Sequence, residues 1–119
     1  MSSSIFAKLT RDDPNCRDVA HYLDEWLDTQ PEEFSHEFLV SWPARSLSSK
    51  VSAAELARVV QILSKSPDVK ILYRIEDPEG NVVGREYDDI RKVPLETYDL
   101  SGNVFNVELE NIQQVIRFQ

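Results

Sequence analysis

Residues 51–83 read VSAAELARVVQILSKSPDVKILYRIEDPEGNVV, and the fold follows from where the hydrophobic period changes within them. Ser52-Ala53-Ala54-Glu55 matches a capping box, in which the Ser52 hydroxyl accepts from the Glu55 N–H and the Glu55 carboxylate reaches back to the Ser52 N–H. Val51 and Leu56 occupy the two positions of a hydrophobic staple. Leu56, Val59, Val60 and Leu63 then recur at helical spacing, and Lys65 with Pro67 closes the helix. Beyond Pro67 the period drops to two: Val69, Ile71, Tyr73 and Ile75 alternate with Lys70, Leu72, Arg74 and Glu76. Asp77-Pro78-Glu79-Gly80 supplies a turn, because proline pre-sets the first turn dihedral and glycine tolerates positive φ. Val82 and Val83 start the return strand of a hairpin.

Working towards the N-terminus, Asp13 and Pro14 predict a helix start, and Val19, Tyr22, Leu23, Trp26 and Leu27 form one apolar stripe. Arg17, Asp18, His21, Asp24, Glu25 and Asp28 fall on the other, polar face. Pro31 ends that helix near Gln30. The segment from Pro31 to Trp42 carries both signals. Phe34, Phe38 and Trp42 are spaced as on a helix, while Phe38, Val40 and Trp42 alternate as on a strand. The acids after Pro31 favour a helix. Towards the C-terminus a second hairpin is expected, with arms at Leu95–Leu100 and Phe105–Leu109 about a turn at Ser101-Gly102-Asn103. Ile116 and Phe118 alternate as a last strand. No internal repeat is evident in this reading. The expected product is one α+β domain over residues 1–119, helical over 1–66 and sheet over 67–119. Two or three N-terminal helices would cover one face of an antiparallel sheet of four or five strands.

Composition narrows the function classes. The 119 residues carry 13 Lys and Arg against 21 Asp and Glu, a net charge of −8. That field opposes a general nucleic-acid binder, which displaces counterions with many cations. The charge is uneven: residues 1–40 carry −6, residues 41–70 carry +3 and residues 71–119 carry −5. The basic island comprises Arg45, Lys50, Arg58, Lys65 and Lys70. The single cysteine, Cys16, allows no internal disulfide and fits a reducing, cytoplasmic setting. The start MSSSIFAKLTRDD has neither basic flank nor apolar run, so no leader is expected, and no window approaches the about 20 apolar residues of a membrane helix.

Catalytic chemistry finds little support. Cys16 near a helix start is a candidate thiolate, yet it lies on the apolar stripe with Val19 and Ala20. His21 has Asp18 and Glu25 on the same helical face, a possible metal cluster or a solvated polar face. His36-Glu37 does not extend to H-E-x-x-H, because Val40 occupies the second histidine's position. The adjacent pairs Asp12-Asp13 and Asp88-Asp89 suit turns and caps. Three scattered glycines make no phosphate cradle. No cofactor, metal or enzyme activity is expected on this reading.

The capped helix followed by strand, turn and strand resembles the core of a winged helix, an architectural likeness without a sequence family behind it. It implies a groove-reading role for the outward residues Arg58, Gln61 and Lys65, against which stand the acidic turn tip and the negative field. Surplus apolar residues point elsewhere. Phe38, Leu39, Val40 and Trp42 crowd one segment, and Ile71-Leu72, Val82-Val83 and Val115-Ile116 place apolar side chains on both faces of their strands. Either a second layer covers them or another molecule does. The expected function is therefore that of a protein-binding domain (an adaptor, accessory subunit or inhibitor) using a patch of Phe38 and Trp42 flanked by Arg45 and Lys50. Its partner would be a basic protein or a second copy of the chain.

Overall fold

The computed structural model describes residues 5–119, so the first four residues of the expected leaderless start lie outside the described residues. Ser52 Oγ accepts from the Glu55 N–H at 3.1 Å and Glu55 Oε1 from the Ser52 N–H at 3.0 Å, closing the capping box. The helix it starts, α4, runs Ala53–Leu63. β2 (Val69–Glu76) and β3 (Val82–Tyr87) form the hairpin that follows. The remaining elements are α1 (Ile5–Leu9), α2 (Arg17–Asp28), β1 (Glu37–Leu39), α3 (Ser41–Ser46), β4 (Glu96–Tyr98), β5 (Val104–Asn106) and β6 (Ile112–Phe118). The main sheet is antiparallel with order β1-β6-β2-β3, and β4 and β5 make a separate two-stranded sheet. The domain is α+β.

Three expectations need correction. The segment from Pro31 to Trp42 is not one helix: a 3₁₀ turn at Glu32–Ser35 leads into β1, and α3 starts only at Ser41. The reason is non-local, since β1 pairs with the far C-terminus, Phe38 opposite Ile116 and Leu39 opposite Val115. The helix expected from Pro14 opens instead with a 3₁₀ turn, Pro14–Cys16, before α2 proper; Asp13 caps that turn, accepting from the Asn15 N–H at 3.0 Å. Asp24, assigned to the polar face of α2, is buried. There α1 docks: Asp24 accepts from the backbone N–H of Phe6 at 2.9 Å and of Ala7 at 3.1 Å, satisfying two donors at the start of that short helix.

One core lies between the helices and one face of the sheet. Phe6, Leu23, Trp26, Phe38, Val59, Leu63 and Ile116 are among its members, with Ile71 and Phe118 packed against it. Cys16 belongs to the same core, and burial, followed by the nearby Asp13, raises its thiol pKa, which makes it an inert apolar filler.

The opposite face of the sheet explains the doubled apolar pairs. Leu72 lies opposite Val115, and both are buried although neither belongs to the core beneath the helices. An ion-pair lattice on that face takes one residue from each of the four strands. Arg74 Nη2 lies 2.6 Å from Glu37 Oε2 and 2.7 Å from Glu86 Oε2, and Arg117 donates to Glu37 Oε1 and Glu86 Oε2 at 2.9 Å each. Arg74 and Arg117 stand two residues from Leu72 and Val115 along their strands, on the same face of the sheet.

This lattice makes stability acid-sensitive. The Arg74 hydrogen bond, with Arg117 behind it, holds Glu37 below the usual carboxylate range. Burial pushes Glu86 up, and the same two guanidiniums more than offset it. A depressed folded pKa means the unfolded chain takes up protons first, so the stabilisation is complete above the ordinary value of 4.5 and fades as pH falls below it. Arg74→Ala is expected to cost about 1–2 kcal/mol near pH 7, discounted because the partners are about one-third exposed, and visibly less near pH 3. Urea unfolding at the two pH values checks this; a cost independent of pH contradicts it.

Candidate functional site

The expected patch does not form as a unit. Phe38 is 2% exposed, its ring 5.1 Å from Trp26 and about 6 Å from Phe6 and Phe118, so it is core and unavailable to a partner. Lys50 lies over the Tyr22 ring at 5.3 Å, a cation–π contact that places it on the face of α2. Trp42 and Arg45 do meet. Trp42 stacks on Phe34 with centroids 4.6 Å apart and planes within 22°, and both line an open groove of about 410 Å³ with Trp26, Gln30, Arg45 and Ser46. Phe34 and Trp42 flank β1 in the chain, so the groove lies beside that edge strand. Arg45 is exposed and forms no ion pair among the described residues.

The residues considered for nucleic acid are dispersed in role. Arg58 is committed to Asp13, with Nε at 3.0 Å and Nη2 at 2.8 Å from one carboxylate oxygen. Gln61 is exposed on α4, and Lys65 is exposed in the turn that follows it. β2, which would be one side of a wing, is a central strand paired to β6 along its length from Val69 to Ile75. His21 Nε2 lies 3.0 Å from Glu25 Oε1 on the exposed face of α2. No group of three or more His, Cys, Asp or Glu among the described residues is placed to hold a metal ion. Asp89 caps the 3₁₀ turn Ile90–Lys92 and pairs with Arg91, which brings its carboxyl down to about 2.

A further exposed apolar surface is one the sequence reading passed over. All the exposed large apolar side chains among the described residues fall between Val82 and Leu109, and five of them belong to residues 93–110, within the excursion from β3 to β6: Leu95 (86% exposed), Tyr98, Leu100 (70%), Val104 and Leu109 (80%). β4 and β5 form the body of this arm. Tyr98 is paired with Val104, and both side chains stand on its outer face. The arm is anchored at its base, where Asn111 Nδ2 donates to the Glu76 carbonyl at 3.1 Å. Residues 93–110 contain four carboxylates and no Lys, Arg or His. A groove of about 520 Å³ between the arm and the β2–β3 turn carries Glu76, Asp77, Glu108 and Glu110.

The arm's turn also corrects the expectation that the chain holds no repeat. Asp77-Pro78-Glu79-Gly80-Asn81-Val82 and Asp99-Leu100-Ser101-Gly102-Asn103-Val104 share the pattern D-x-x-G-N-V. In both turns the Asp N–H donates to the Asn carbonyl at 2.8 Å, and an Asp Oδ1 accepts from the backbone N–H two and four residues on. Gly80 and Gly102 take φ values of 87° and 85°, which a side chain would resist. The Asn81 N–H, joined by those of Glu79 and Leu100, holds the buried Asp77 carboxyl below its usual range. Leu100 belongs to the arm, so the two turns lie against each other.

No protein-family model, curated protein or solved structure matches the chain. No helix among the described residues is long and apolar enough to cross a membrane.

Proposed function

We propose that this chain is a protein-binding domain that docks through the arm formed by residues 93–110, as an adaptor, accessory subunit or inhibitor does. The observation that carries this reading is the concentration of exposed leucine, valine and tyrosine on a hairpin lacking any cation. A two-stranded hairpin has little core of its own, and exposed apolar side chains concentrated on it are a liability unless a partner covers them. Its carboxylates set the partner's chemistry: a cleft lined by apolar side chains and fringed by Lys or Arg. The −8 field speeds that encounter.

The test separates docking from folding. Leu95→Ser, Leu100→Ser and Leu109→Ser together leave exposed positions exposed, so unfolding by urea should shift by less than about 1 kcal/mol. The same triple variant should lose a partner that the wild-type domain retains, with affinity down more than about tenfold. The association rate of the wild type should fall steeply between low and physiological salt. Undiminished binding by the triple variant contradicts the proposal.

A further inference from the structure

We infer that the arm of one copy docks in the Trp42 groove of a second copy, so that the chain assembles head to tail. This rests on the reading of the arm as the docking element, and it names the partner. The molecule carries both halves of the complementarity. The arm is apolar and acidic, with four carboxylates and no cation over residues 93–110. The groove is concave and aromatic, with Trp26, Phe34 and Trp42 along its wall and Arg45 unpaired at its rim. Its Trp42, Arg45 and Ser46 come from the stretch of chain with surplus positive charge, residues 41–70 at +3, and Arg45 is the one charged residue of its lining.

Topology sets the geometry. The sheet order β1-β6-β2-β3 puts the groove beside β1 at one edge, while the arm departs from β3 at the other. Three strand spacings, about 14 Å, separate those edges. Two different surfaces at opposite edges make a heterologous contact, which propagates into chains or closes into rings and does not stop at a two-fold dimer. The net charge of −8 opposes the approach of two copies. Assembly is therefore weak and concentration-dependent.

Sedimentation velocity of the full chain between about 10 µM and about 1 mM tests it. The wild type should show a weight-average mass that climbs continuously with concentration. An arm variant (Leu95→Ser, Leu100→Ser, Leu109→Ser) and a groove variant (Arg45→Glu, Ser46→Glu) alter only exposed residues, and each alone should remain monomeric. Their equimolar mixture restores one intact arm and one intact groove, so it should form heterodimers and nothing larger. A wild type monomeric at every concentration, a mixture without heterodimers, or a discrete dimer surviving both sets of substitutions overturns the inference. If the wild type stays monomeric yet another protein is retained through the arm, the inference fails while the docking reading stands. If the arm variant assembles as the wild type does, both fail.

Discussion

Phe38→Ala should lower the unfolding free energy by about 3–5 kcal/mol, the largest effect of any substitution considered for this chain. The ring is enclosed by Phe6, Trp26 and Phe118, and its strand position opposite Ile116 leaves no route for the core to collapse around the hole. Urea unfolding monitored by tryptophan fluorescence measures the loss directly, since Trp26 reports on the same cluster. A loss below about 1.5 kcal/mol would mean that Phe38 faces solvent, as the helical reading of residues 31–42 allowed.

Asp24→Ala should cost about 2–3 kcal/mol, because two backbone donors of α1 lose a charged acceptor and the Phe6 N–H is left buried and unpaired. The effect should be local as well as global. Amide exchange at Phe6 and Ala7 should accelerate well beyond that of α4, as α1 frays and withdraws Phe6 from the core. Asp24→Asn, which keeps one acceptor oxygen, should fall between the two. A variant as stable as the wild type, with protected amides at both residues, would show that α1 is held by packing alone.

These two residues mark the limit of what was legible in advance. The capping box, the switch of period at Pro67 and the Asp77 turn are contained in a few consecutive residues, and all formed as read. Phe38 carried both a helical and a strand spacing. The choice was made by β6, whose residue Ile116 is its partner from the far end of the chain. Asp24 looked solvated because the helix that buries it, Ile5–Leu9, is only five residues long and has no apolar period of its own. Leu72 and Val115 looked like surplus because alternation cannot reveal that the sheet face away from the helices would be buried as well.

The expected patch came apart for a related reason. Trp42 drew attention by residue type, and it did come to line a groove with Arg45, though without Phe38 or Lys50. The arm's strands alternate like any half-buried strand, and periodicity is blind to whether a second layer exists. Two signals were nevertheless present: the recurrence of D-x-x-G-N-V at 77–82 and 99–104, and the absence of any cation from 93 to 110. The first marks a second hairpin built like the first. The second sets that hairpin apart from β2 and β3, which carry Arg74 and Arg85.

The most direct test of the arm as a docking element is site-specific photocrosslinking in the cells that make the protein. A photoreactive residue would replace Leu100 or Leu109 on the arm and, separately, Ala57 or Gln61 on the exposed face of α4. Adducts of defined mass from both arm positions, with none from α4, are the expected result. Adducts from Ala57 and Gln61 with a silent arm would contradict the account.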